Sequence, residues 1–196
     1  DKSSVVNPEI SFLPTASRKD IGTPTDEQFT QYQVMLGKTN YSLASDLINS
    51  DYYKNLSDDE KATELSNIYS ISKKFTKHDM INSELTDNEM ELYNAFKKQS
   101  SQAVIDNIQL KSNLKQYGFT TGSDKAVEAY EQGGEQGLQQ YAEDKKTFDD
   151  LGLSMNSDKL NAYYDAYGSD GLKQQKKKKN LADSDMNKSI SMSELI

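Results

Sequence analysis

Between Thr25 and Gln116 the apolar residues recur at helical intervals, and polar residues fill the positions between them. Phe29, Tyr32 and Leu36 fall on one face, and Gly37 offers a C-terminal stop. A shorter helix carries Leu43, Leu47 and Ile48. Leu65, Ile68, Tyr69 and Phe75 make the stripe of a long helix running towards His78, and Met90, Tyr93 and Phe96 repeat the pattern. Val104, Ile105, Ile108 and Leu114 form a last stripe before Tyr117-Gly118 breaks it. Three capping boxes mark starts: Thr25 with Gln28, Ser57 with Glu60, and Thr86 with Glu89. In each, a hydroxyl accepts from the backbone N–H three residues on, and the longer side chain reaches back. No run shows the period-2 alternation of Val, Ile and Thr that strands need. The expected fold class is therefore all-α: a small helical bundle over 25–116, its stripes packed on one another or, alternatively, open as a groove for a partner helix. Residues 1–24 hold all three prolines and no sustained period, and read as an extended arm that orders against a partner.

From about Tyr117 the composition shifts and a repeat appears. "GEQGLQQYAEDKK" (134–146) and "GSDGLKQQKKKKN" (168–180) align at an offset of 34. Gly134 matches Gly168, Gly137 matches Gly171, Leu138 matches Leu172, Gln140 matches Gln174 and Lys145 matches Lys179. Upstream, Tyr130-Glu131 matches Tyr164-Asp165. Each copy reads as a helix starting near its second glycine and ending in a polar loop, within a domain spanning 117–196.

The loop after the second copy carries the sharpest chemical pattern. Counting from Asp183 as position 1, side-chain oxygens stand at 1 (Asp183), 3 (Asp185), 5 (Asn187), 9 (Ser191) and 12 (Glu194). Ser189 at position 7 offers its backbone carbonyl, and Ile190 fills the apolar eighth place. This resembles the EF-hand calcium loop: a hard cation wants six to eight oxygens, and alternate residues of a tightly curved loop aim inward. Lys188 departs from the pattern where the family has glycine, in a conformation that costs a non-glycine residue about 1 kcal/mol. The chain also runs only two residues past Glu194, which leaves no room for an exiting helix. The corresponding stretch of the first copy, "FDDLGLSMNSDKL" (148–160), lacks the alternation, so the resemblance implies a degenerate EF-hand-like pair with Ca2+ in the second loop only. Leu153 would pair with Ile190, Ser157 would cap the next helix, and Asp149 and Asp150 are weak ligand candidates.

Composition narrows the function further. Of 196 residues, 34% are hydrophobic and 28% charged, and the formal net charge is −8. A surplus of acid disfavours nucleic acid as the main partner. The run Lys176–Lys179 has no interleaved aromatics and reads as the solvated, dipole-complementing last turn of a helix. No stretch approaches the ~20 apolar residues that span a bilayer, and no signal-peptide pattern opens the chain. Its first residue is Asp1 rather than Met, which is expected of a fragment or processed product. Zero cysteines exclude disulfides and thiolate chemistry. His78 is the single imidazole, with no nucleophile elbow, phosphate loop or H-E-x-x-H beside it. The expectation is a non-enzyme with no catalytic residue and no small-molecule substrate.

The order of these pieces is familiar. "LPTASRKDIGTPTDEQFTQYQVMLGK", then "NSDYYKNLSDDEKATELSNIYSISKKF", then the glycine repeat and the acidic terminal loop, is similar to the C-terminal part of large helical virion proteins of bacteriophages and prophages. These are internal or ejection proteins, polyvalent proteins and tape-measure-like chains. Leu13-Pro14, Tyr53 to Leu56 and Ser57 to Lys61 carry the resemblance. It implies a structural part docked to portal, capsid or tail, present in several copies, and localised to the virion after synthesis in the bacterial cytoplasm. The alternative is a stand-alone calcium-binding interaction module, whose loop switches the exposure of Tyr- and Met-bearing helix faces.

Overall fold

A computed structural model describes residues 16–193 of the chain, with side chains described as far as Asp183. Every regular element among the described residues is helical. A 3-10 turn (Arg18–Ile21) is followed by α1 (Asp26–Asn49), α2 (Asp51–Lys54), α3 (Asp58–Ile81), α4 (Asp87–Lys97), α5 (Gln102–Gln116), α6 (Asp124–Asp150) and α7 (Asp158–Ser193). The chain divides into two compact units, Asp1–Ser112 and Asn113–Ile196.

The three capping boxes start α1, α3 and α4. Gln28 N donates to Thr25 Oγ1 at 3.2 Å, and Thr25 N donates back to Gln28 Oε1 at 2.9 Å. Glu60 N and Glu89 N donate to Ser57 and Thr86 at 3.4 and 3.2 Å, with the returning bonds at 2.8 and 3.1 Å. Each box satisfies two N–H groups that a helix start otherwise leaves orphaned. A fourth box, Ser17 with Asp20, holds the 3-10 turn. That turn lies in the stretch expected to be an extended arm, and it folds because Ile21 is buried against Tyr32 and Leu36. Residues 1–15 of the expected arm lie outside the described residues.

Gly37 does not stop α1. Tyr32, Leu36, Asn40, Leu43, Ala44 and Leu47 form one buried stripe on both sides of it, and α1 packs that stripe along α3. A mid-helix glycine costs about 1 kcal/mol against alanine. Several fully buried Leu-sized side chains, each contributing about 1.5–3 kcal/mol, outweigh that. The two helices expected there are therefore one. The core of the first unit joins Leu43 and Leu47 of α1, Tyr53 of α2, Ile68 and Phe75 of α3, Leu92 of α4 and Val104, Ile105 and Ile108 of α5. Phe75 is its aromatic centre, edge-on to Tyr93 at 5.5 Å and stacked on Phe96 at 5.7 Å.

The second unit is a tandem repeat longer than the glycine motif announced. At Gly118 and Gly152 φ is +78° and +65°, and each ends a helix in a Schellman motif. Phe119 N donates to Leu114 O and Leu153 N to Phe148 O, at 2.8 and 2.9 Å; Gly118 N and Gly152 N bond Lys115 O and Asp149 O at 3.0 and 2.9 Å. The next helices begin with Val127 N bonded to Ser123 O and Asn161 N to Ser157 O. Both then break at the same glycine: Gly134 (φ 60°, ψ −148°) in α6 and Gly168 (φ 61°, ψ −157°) in α7. Each of these bonds and breaks recurs 34 residues on, so the repeats are 114–147 and 148–181.

The stretch before them follows the same order: α4, Gln99 at φ 64°, α5, then the Gly118 cap. Tyr93, Tyr130 and Tyr164 each stand seven residues after Thr86, Ser123 and Ser157, the residues that open these three stretches.

Candidate functional site

The glycine break sets the local geometry of each repeat. After the break the chain turns back on itself, and the second glycine of the pair faces the preceding helical arm. A Cβ on Gly137 would stand 2.3 Å from the carbonyl oxygen of Ala129. One on Gly171 would stand 3.0 Å from the carbonyl oxygen of Tyr163 and 2.7 Å from Tyr167 Cβ. Ala129 and Tyr163 are themselves equivalent at the offset of 34. Two glycines per repeat thus do separate jobs: one supplies a backbone conformation that L residues avoid, the other permits close approach. Leu138 and Leu172, next in sequence, are both fully buried. Within the second repeat, Phe148 meets Tyr164 edge-on at 5.4 Å; between the repeats, the Tyr164 hydroxyl donates to Asp144 Oδ1 at 2.7 Å.

The polar side chains of the first unit tie helices together. His78 sits in the last turn of α3, where its Nδ1 lies 2.6 Å from the carbonyl oxygen of Ser83. Asn82, in the left-handed conformation, caps the same helix through its N–H to His78 O at 2.8 Å. The imidazole packs edge-on against Tyr93 at 4.8 Å. Tyr93 in turn donates its hydroxyl to Asp79 Oδ1 at 2.5 Å, and Lys97 Nζ meets Asp79 Oδ2 at 2.7 Å. Burial, and then the Asp79 carboxylate, push the Tyr93 phenol up to about 12, so it remains a protonated donor. Asp79 is thus held from two sides, by a hydrogen bond from Tyr93 and an ion pair with Lys97. His78, the lone imidazole, joins α3 to the loop before α4.

Deeper in this unit, Glu64 is 3% exposed. One carboxylate oxygen accepts from Ser112 Oγ of α5; the other, Oε2, is buried with no hydrogen-bond partner among the described residues. Burial raises its pKa, hydrogen bonds from Ser112 and Asn67 oppose the rise, and Glu60 nearby adds to it. Ser72 of α3 bridges to Asn40 Oδ1 of α1 at 3.4 Å while bonding back to Ile68 O at 2.8 Å. None of these three constellations was legible as such, because each joins residues 14 to 48 positions apart.

The C-terminal reading meets a different backbone. α7 stays helical through Ser193, so the expected loop over Asp183–Ser193 is helix. The calcium reading supposes alternate residues of a tightly curved loop, whereas the described backbone at these positions is helical. Asp183 is exposed. The side chains of Asp185, Asn187, Ser189, Ser191 and Ile190, and the whole of Glu194, lie outside the described residues. In the first copy, Asp149 and Asp150 are engaged by Lys145 and Lys146 one turn earlier, both at 2.6 Å. Ser157 does cap the next helix, accepting from Leu160 N at 3.4 Å. Lys176–Lys179 stand more than three turns before the end of α7, beyond the reach of the helix-end dipole that was expected to explain them.

Among the described residues, no three His, Asp or Glu side chains gather as a metal site, and no helix is long and apolar enough to cross a membrane. No family model, no curated protein and no solved structure matches the chain.

Proposed function

We propose that the chain is a non-enzymatic structural component of a bacteriophage virion, an internal, portal- or tail-associated segment that binds other virion proteins and copies of itself. The observation that supports a structural role is the tandem unit of Schellman turn, helix, glycine break and helix, whose bonds and breaks recur at an offset of 34. Tandem helical units stack on their neighbours and present extended faces to partners. The side chains best suited to chemistry are spent on ties between helices: Glu64 on Ser112, Asp79 on Lys97 and Tyr93, His78 on Ser83. The virion assignment itself rests on the resemblance carried by Leu13-Pro14, Tyr53 to Leu56 and Ser57 to Lys61.

The stand-alone calcium module is the second reading, favoured by the oxygen spacing from Asp183 to Glu194. It would require the last turns of α7 to convert into a loop on binding, so calcium takes no part in the proposed role.

The test is fractionation. Particles from a producing culture are banded by density after nuclease treatment, and peptides of this chain are counted by mass spectrometry against known capsid peptides. Co-banding at a fixed ratio to capsid supports the proposal. Recovery only in the particle-free supernatant would sink it.

A further inference from the structure

The outer face of α1 carries a second stripe, separate from the one it buries on α3. Glu27, Gln31, Val34, Lys38, Tyr41 and Ser45 recur at alternating intervals of four and three, the spacing of a helix–helix seam. Val34 and Tyr41 are 52% and 50% exposed, two of the large hydrophobic side chains left open among the described residues. The charges on this stripe are also uncommitted. Asp26 is paired with Arg18, but among the described residues neither Glu27 nor Lys38 has an ionic partner. They stand eleven residues apart, three turns along one side of the helix.

That arrangement is self-complementary in one orientation only. We infer that the outer face of α1 docks antiparallel against the same face of a second copy of this chain, around a two-fold axis between residues 32 and 33. In this register Glu27 of each copy faces Lys38 of the other, Val34 faces Gln31, and Tyr41 reaches Pro24 just ahead of the opposing helix. Parallel docking would instead set Glu27 against Glu27 and Lys38 against Lys38. Gly37 flanks the seam with no atom within 4 Å of where a Cβ would stand, so the opposing helix meets no obstruction there.

The contact is small. A face of about 18 residues is roughly 27 Å long, and it buries less than the ~1,200 Å² of a standard interface. The dimer is therefore weak and concentration-dependent, of use where many copies are held close together.

Sedimentation velocity on the 196-residue chain, from about 10 to 500 µM, reads the association directly. Lys38→Glu and Glu27→Lys each turn two attractive pairs into repulsive ones and should weaken it by about tenfold. The double variant, with both charges exchanged, should restore it; helical circular dichroism confirms that all three variants fold. A monomer throughout the range, single exchanges without effect, or a double variant that stays weak would each overturn the inference.

Discussion

Replacing Gly137 by alanine puts the repeat geometry to a quantitative test. The new Cβ would stand 2.3 Å from the Ala129 carbonyl oxygen, a backbone atom that no side-chain rotation can move. An ordinary contact needs about 3.4 Å or more, so the two arms of α6 must separate by roughly 1 Å. Overpacking of this kind costs about 1–3 kcal/mol. The neighbouring Gly133 supplies the control: it is helical, and nothing lies within 4 Å of its Cβ position. There alanine should be neutral or should stabilise by about 0.4–1 kcal/mol through the unfolded chain. Thermal and urea unfolding, followed by circular dichroism, should therefore move in opposite directions for the two substitutions. For a unit of this size each kcal/mol corresponds to about 4–8 °C in Tm. Equal stability of Gly137→Ala and Gly133→Ala would refute the close approach. Gly171→Ala should also destabilise, since its Cβ would stand 2.7 Å from Tyr167 Cβ, which is fixed by the backbone, and 3.0 Å from the Tyr163 carbonyl oxygen.

Glu64 should make the first unit less stable as pH rises. Its folded-state pKa lies above the ordinary carboxyl value of 4.5, so its contribution is complete below that value and is lost as pH climbs through the folded pKa. Subtracting the Tm–pH curve of Glu64→Gln from that of the wild type isolates this loss, and a flat difference would contradict the burial argument. Phe75→Ala removes the aromatic centre of the core and should cost about 3–5 kcal/mol by denaturant unfolding; a loss below ~1 kcal/mol would place the core elsewhere. Tyr164→Phe deletes the hydroxyl that donates to Asp144 and keeps the ring on Phe148. It should cost about 0.5–1.5 kcal/mol, read in the same unfolding experiment, and no loss would mean that the bond between the repeats adds nothing.

What could be read from the sequence was what local chemistry decides. The boxes at Thr25, Ser57 and Thr86 act over three residues, and all three formed. The paired glycines at 134/137 and 168/171 betrayed a duplication, but only its second half. Its first half holds the matches Gly118/Gly152 and Ser123-Asp124-Lys125/Ser157-Asp158-Lys159, which lie at the same offset and would have set the start at Leu114. Their flanking residues differ too much in type, Phe119 against Leu153 and Gly122 against Asn156, for the eye to join them. Gly37 misled because its local preference yields to the buried stripe on either side. The terminal spacing counts oxygens and carries no signal for the backbone: it presupposes a loop from Asp183, and α7 continues to Ser193. The ties at Glu64, Asn40 and Asp79 depend on which helices meet, information that no short window contains.

The structural reading and the calcium-module reading part at the end of α7. Backbone chemical shifts of residues 183–193, recorded in EDTA and then with calcium in excess, compare them in one experiment. If the chain is a helical assembly part, the shifts stay helical and calcium leaves them unchanged. Saturable movement of Asp183, Asp185 and Asn187 out of helical values, lost on Glu194→Gln, would contradict it and make the terminal segment a metal-gated switch.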